Sequence, residues 1–158
     1  MSTAKRSSIS VLAHNIRSLW NVGSFFRTCD CFGVEKLYLT GYTAIPPRRE
    51  ISKTALGAEG WIPWEHADDP KLIIQKLKKA KYRIVGLELT EDAVELKSYV
   101  PPKKICLIVG HEVLGVSKEL LALCDDVVQI PLLGKKESLN VSVAMGIALY
   151  GLRAATSS

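Results

Sequence analysis

Short apolar runs alternate along this chain with stretches where apolar residues recur every three or four positions. Residues 8–13, Ser-Ile-Ser-Val-Leu-Ala, read as a strand, and so do 36–40, Lys-Leu-Tyr-Leu-Thr, and 83–87. The continuous apolar run 105–109 suits a strand buried on both faces, and 126–130 adds another. Residues 61–64 suit a short extended piece interrupted by Pro63. Between these, 22–31 predicts a helix capped by Asn21 and ended near Gly33. Residues 51–58 predict a short helix after a loop, 41–50, that carries Pro46, Pro47, Arg48 and Arg49. Asp68 or Asp69 caps a third helix with Pro70 near its start. On that helix Leu72, Ile73, Leu77 and Ala80 share an apolar side, and Lys71, Lys76, Lys78, Lys79 and Lys81 lie largely opposite. Residues 117–123 and 140–154 predict two more helices, the last with Val141, Met145, Ala148 and Leu152 on one stripe, followed by a frayed tail at 155–158. The alternation predicts an α/β fold: a mostly parallel sheet with helices on both faces.

At 158 residues the chain suits one domain spanning 1–158. Hydrophobic residues at 47% and charged residues at 23% exclude disorder as the main state. A net charge of +5 permits an anionic partner without requiring one. No apolar stretch reaches the roughly 18 residues of a membrane span. No apolar run of signal-peptide length follows Lys5 and Arg6. A cytoplasmic protein is therefore expected, with Cys29, Cys31, Cys106 and Cys124 as reduced structural thiols. His14, His66 and His111 are scattered without metal-binding spacing, so no metal is expected.

Ligands of open α/β sheets bind beyond the carboxyl ends of the strands, so candidate chemistry is sought there. After 105–109 comes Gly110-His111-Glu112-Val113-Leu114-Gly115. This is neither a dinucleotide fingerprint nor a phosphate-binding P-loop, because no Gly-Lys-Ser/Thr follows. Its two glycines mark backbone that bends or approaches something closely. After 126–130 come Pro131, Gly134, Lys135, Lys136 and Glu137, then Ser138-Leu139-Asn140-Val141-Ser142. Ser138 and Asn140 are both good N-caps, so a capped helix behind a lysine-rich loop accounts for them without a ligand. Arg27 stands in an otherwise apolar helix. A guanidinium buried there needs either an acidic partner or a function, since unpaired burial is costly.

Three segments together resemble the SpoU (TrmH-like) branch of the SPOUT RNA methyltransferases. They are Asn21-x-Gly23-x-x-x-Arg27-Thr28 with Asp30 and Phe32-Gly33-Val34, then Ile108-Val109-Gly110-His111-Glu112-x-x-Gly115, then Ile130-Pro131-x-x-Gly134 and Ser138-Leu139-Asn140-Val141-Ser142-Val143-Ala144. They stand in the family's order and at its spacing, and the similarity covers nearly the whole chain. Two departures occur: His111 replaces the usual Asn or Ser beside the Glu, and Leu19-Trp20 replaces a Pro-containing run before Asn21.

The resemblance implies an α/β fold with a C-terminal trefoil knot and a homodimer whose active site lies at or near the subunit contact. It implies S-adenosyl-L-methionine as cofactor and methyl transfer to a ribose 2′-hydroxyl of tRNA or rRNA. Carried over residue by residue, Gly110, Ile130 and Leu139 line the cofactor slot, with Leu87 beside them. Arg27 becomes the catalytic candidate, Asn21 positions the ribose or Arg27, Glu112 lies close by, and Ser138 and Asn140 shape the loop. Arg27 either clamps phosphate and stabilises the alkoxide or accepts its proton. An arginine with a pKa above ~12 is a poor base, which favours the first. Arg48, Arg49, Lys53, Lys135 and Lys136 are candidate phosphate contacts, or else solvated charge. The alternatives are an RNA-binding relative without turnover, an enzyme acting on a base nitrogen, and an unrelated α/β nucleotide-binding domain. With no added RNA-binding domain in the sequence, the catalytic domain is expected to hold its own substrate. The compact form resembles relatives acting on tRNA.

Overall fold

The computed structural model describes residues 6–156. In it, strands β1 (Ser8–His14) and β6 (Lys104–Val109) run side by side at the centre of one sheet. Their side chains alternate between two layers, as the pleat requires. Ile9, Val11, Ala13, Ile105, Leu107 and Val109 point into one apolar cluster, and Leu12, Cys106 and Ile108 into the other. Both faces are buried, which is why these runs are apolar at nearly every position.

Around this pair lie β2 (Lys36–Thr40), β3 (Trp64–Ala67), β4 (Arg83–Leu87), β5 (Val94–Glu95) and β7 (Asp126–Gln129), in the order β3-β2-β1-β6-β4-β7-β5. Every pairing between these strands is parallel. Helices α1 (Leu19–Cys31), α2 (Arg49–Ala55) and α5 (Val141–Thr156) cover one face, with Phe25, Phe26, Ile51 and Met145 buried against it. Burial of each of the two phenylalanines contributes about 1.5–3 kcal/mol. Helices α3 (Pro70–Lys79) and α4 (Lys118–Leu123) cover the other face through Ile73, Ile74, Leu77 and Leu120.

The expected α/β class, parallel sheet and two-sided cover are all present. Several boundaries and roles are corrected. Helix α1 starts at Leu19 with Ser18 as its N-cap, so Asn21 lies within the first turn instead of capping it. On α3, Ile74 takes the buried place expected of Leu72, which is 62% exposed, and Ala80 is an exposed C-cap. Helix α2 begins at Arg49, earlier than 51, and a 3-10 turn (Ala58–Gly60) follows it. The extended piece expected at 61–64 lies instead at Trp64–Ala67, beyond Pro63, which lacks the N–H a ladder needs. Residues 155 and 156 continue α5 and do not fray, while 157–158 and Lys5 lie outside the described residues. Cys29 is buried and Cys31 exposed, as two positions apart on a helix dictate. Among the described residues no helix is long and apolar enough to cross a membrane, and no group of three His, Cys, Asp or Glu side chains could hold a metal ion.

Candidate active site

The carboxyl ends of β4, β6 and β7 open onto a cavity of about 560 Å³. That volume suits a nucleoside-sized ligand. Leu87, Gly110, Ile130 and Leu139, the four residues expected to form the cofactor slot, all line it, as do Glu112 and Ser138. Gly110 has no room for a side chain: a Cβ there would lie 2.4 Å from the Gly115 carbonyl oxygen. Gly115 itself adopts φ +70°. Those two constraints account for the glycines that bracket this loop.

His111 closes the same loop. Its backbone N–H donates to the Gly115 carbonyl at 3.1 Å, and the Gly115 N–H donates back at 2.9 Å. Its Nδ1 accepts the N–H groups of Val113 and Leu114, each at 3.0 Å, which places the ring proton of the neutral form on Nε2. A short polar acceptor at this point is what Asn or Ser would also supply, so the departure from the usual residue keeps the turn chemistry.

Glu112 reaches out of the loop to the start of α1. Its Oε1 accepts the Arg17 N–H at 2.8 Å, and its Oε2 accepts the Ser18 N–H at 2.7 Å and Nδ2 of Asn21 at 3.1 Å. Burial alone would raise the pKa of this carboxyl. The Arg17 and Ser18 N–H groups, helped by Asn21, outweigh it and hold the group below the ordinary glutamate value. Ser18 Oγ accepts the Asn21 N–H, which frees the Asn21 side chain to bridge. Asn21 Oδ1 in turn accepts the Ser142 hydroxyl at 3.0 Å, tying α1 to the first turn of α5.

Asn140 caps α5, its Oδ1 accepting the Ser142 N–H at 2.9 Å, and does not line the cavity. Ser138 therefore has no capping role and is exposed at the cavity rim. Arg27 corrects the expectation of a buried guanidinium. It projects from the exposed side of α1, outside the cavity of its own chain, and no ion pair or hydrogen bond to a described residue holds its guanidinium. Arg48 and Arg49 are exposed at the start of α2, where Arg48 pairs with Glu50 at 3.4 Å. Lys53 places its ammonium 5.9 Å from the Trp20 ring centroid. Lys135 and Lys136 are exposed on the segment leading to Ser138.

The sequence reading missed Glu88. This residue follows β4, lines the cavity and anchors its far side. Its Oε2 accepts the Val116 N–H at 2.7 Å, and its Oε1 accepts the Leu89 N–H at 3.0 Å. Its place just past a parallel strand's carboxyl end was the available signal. Glu88 and Glu112 thus hold the 110–116 loop from opposite sides.

The fit to S-adenosyl-L-methionine is good on this geometry: apolar walls, a tight glycine loop with backbone polar groups, and carboxylates suited to a cation. The chain matches the SpoU rRNA Methylase family over residues 8–150. It is 34% identical over 147 residues to a tRNA (guanosine(18)-2′-O)-methyltransferase of Aquifex aeolicus, covering 92% of this chain and 69% of that one. The crystal structure of the A. aeolicus TrmH/SpoU tRNA modifying enzyme superposes with a TM-score of 0.86 at 31% identity, over 97% of this chain and 77% of that one. An AdoMet-bound rRNA methyltransferase from Sinorhizobium meliloti gives a TM-score of 0.86 at 26% identity, over 95% of this chain and 57% of that one.

Proposed function

The chain belongs to the SpoU rRNA Methylase family, and from that premise we propose that it methylates a ribose 2′-hydroxyl of RNA, with tRNA as the substrate class. The observation that carries this reading is the cavity beyond β4, β6 and β7, lined by the four residues that the resemblance assigns to a cofactor slot. S-adenosyl-L-methionine, when bound, supplies an electrophilic methyl group on a sulfonium.

The chain's own residues do the rest. Leu87, Ile130 and Leu139 give the cofactor apolar contacts, and the Gly110–Gly115 turn allows close backbone approach. Glu112 fixes that turn to α1, and Asn21 carries the restraint on to α5. Arg27 binds the phosphate next to the target ribose and stabilises the developing alkoxide, as a planar fork of donors can. Its exposure supports a site completed across a homodimer, in which Arg27 serves the partner's cavity. Val143 (51% exposed), Ile147 (40%) and Tyr150 (64%) on α5 offer apolar surface for that contact. The arrangement proposed for the C-terminal part is the family's trefoil knot. A cytoplasmic location suits an RNA substrate and cysteines kept as thiols.

The test uses purified protein, S-adenosyl-L-methionine carrying a labelled methyl group, and tRNA or rRNA, with nucleosides resolved by mass spectrometry. Label in a 2′-O-methylnucleoside from tRNA is expected. Label on a base, or no transfer to any RNA, overturns the reading.

A further inference from the structure

The chain carries a net charge of +5, yet the described residues lining its cavity include Glu88, Glu112 and Glu137 and no lysine or arginine. A basic exterior suits an RNA backbone. An acidic interior suits something else. Glu112 already accepts three hydrogen bonds, from Arg17, Ser18 and Asn21. Glu137 is exposed, so water and salt screen it. Glu88 differs from both. It is half-buried, it sits where β4 ends, and each of its oxygens accepts one backbone N–H. Those bonds fix the carboxylate in place and leave lone pairs unused. The fit to Gly115 is close: a Cβ there would lie 2.0 Å from Oε2. The negative charge is therefore held at the wall, with no lysine or arginine among the described residues that line the cavity.

We propose that Glu88 makes the cavity selective for the cationic sulfonium cofactor over its uncharged thioether product. The proposal rests on the methyltransferase reading above and deepens it. At neutral pH S-adenosyl-L-methionine carries one net positive charge and S-adenosylhomocysteine carries none, while the two molecules are otherwise nearly the same shape. Contacts with the adenosine and the walls cannot separate them; a fixed carboxylate can. The same charge disfavours nucleoside triphosphates and stray phosphate from the RNA, so the substrate backbone stays outside. Loss of the positive charge on methyl transfer then weakens the hold on the product and favours its release.

Calorimetry with the full chain tests this with both ligands, on the wild type and on Glu88→Gln. The amide keeps one acceptor oxygen and removes the charge. Affinity for S-adenosyl-L-methionine is expected to fall about tenfold, with affinity for S-adenosylhomocysteine changed much less. Equal weakening of both would show Glu88 to be only a loop anchor and would overturn the proposal while leaving the methyltransferase reading intact. A wild type that binds neither ligand removes that reading itself. Should that variant not fold, Glu88→Asp, which keeps the carboxylate but draws it back by one methylene, is read in the same way. Binding of the sulfonium is expected to weaken more than that of the thioether; equal weakening of the two overturns the proposal.

Discussion

Asn21 and Glu112 lie 91 positions apart and meet: Nδ2 of Asn21 donates to Oε2 of Glu112 at 3.1 Å. The contact couples the first helix to the loop beyond β6. It sits at the N-terminal end of α1, where exposed N–H groups and the helix dipole both favour a negative charge.

Glu112→Gln leaves one acceptor oxygen for three donors. A loss of about 1.5–3 kcal/mol of stability is expected, read by denaturant unfolding at neutral pH. The pH dependence has a definite sign. The native carboxyl titrates below its ordinary value of 4.5, so its stabilisation is complete above that value and is lost as the pH falls through the lower native pKa. The wild type should lose stability over that acid range more steeply than the variant. Matching acid profiles would remove Glu112 from this role.

Much of the frame was legible because the strands obey one simple rule. Residues 105–109 are apolar at every position, and only a strand covered on both faces needs that. Asp69 and Ser117 cap the helices that follow them, as short local motifs do. Misreadings arose where two residues competed for one role. Ser18 and Asn21 are both capping types, and what decides between them is Glu112, far along the chain. Leu72 and Ile74 both fit a helical apolar face, and the packing of α3 on the sheet buries Ile74 and leaves Leu72 exposed. Strand β5 has two residues and no periodicity to detect. Glu88 belongs to no motif, and Ser142, though part of the third segment, gives no local sign of its contact, because their partners, Val116 and Asn21, become neighbours only in the fold.

Gly23 marks the contact of α1 with α2. A Cβ there would lie 2.0 Å from Thr54 Oγ1 and 2.2 Å from the Ile51 carbonyl oxygen. Backbone cannot yield as a side chain can, so Gly23→Ala should cost about 1–3 kcal/mol through overpacking. Thermal unfolding checks this, and an unchanged midpoint would show that α2 moves aside freely.

The exposed cations Arg49 and Lys53 lie on α2, with Lys53 close to Trp20. If they meet RNA phosphates, replacing each with Gln should weaken tRNA binding at low salt. The slope of log affinity against log salt should fall by about one per residue. Filter binding across a salt series measures it. A slope equal to the wild type's assigns these side chains to solvent.

Arg27 gives the sharpest test of how the site is assembled. The residue is exposed, so Arg27→Ala should alter stability by no more than about 0.5 kcal/mol and leave cofactor binding intact. Methyl transfer should fall at least about a hundredfold, the usual result of removing a donor that stabilises a developing oxyanion. Arg27→Lys keeps the charge but loses the two-pronged geometry, so it should recover activity only in part. Gly110→Ala provides the complementary defect. Its Cβ would lie 2.4 Å from the Gly115 carbonyl oxygen and 2.7 Å from the Val116 nitrogen, which spoils the cavity and leaves Arg27 untouched. Each variant alone should be inactive. If Arg27 serves the partner's cavity, mixed dimers of the two contain one complete site, formed by the arginine of the Gly110→Ala protomer and the cavity of the Arg27→Ala protomer. Unfolding and refolding an equal mixture should then restore part of the wild-type activity. If Arg27 serves its own cavity, no combination contains a complete site, and the mixture stays as inactive as its components.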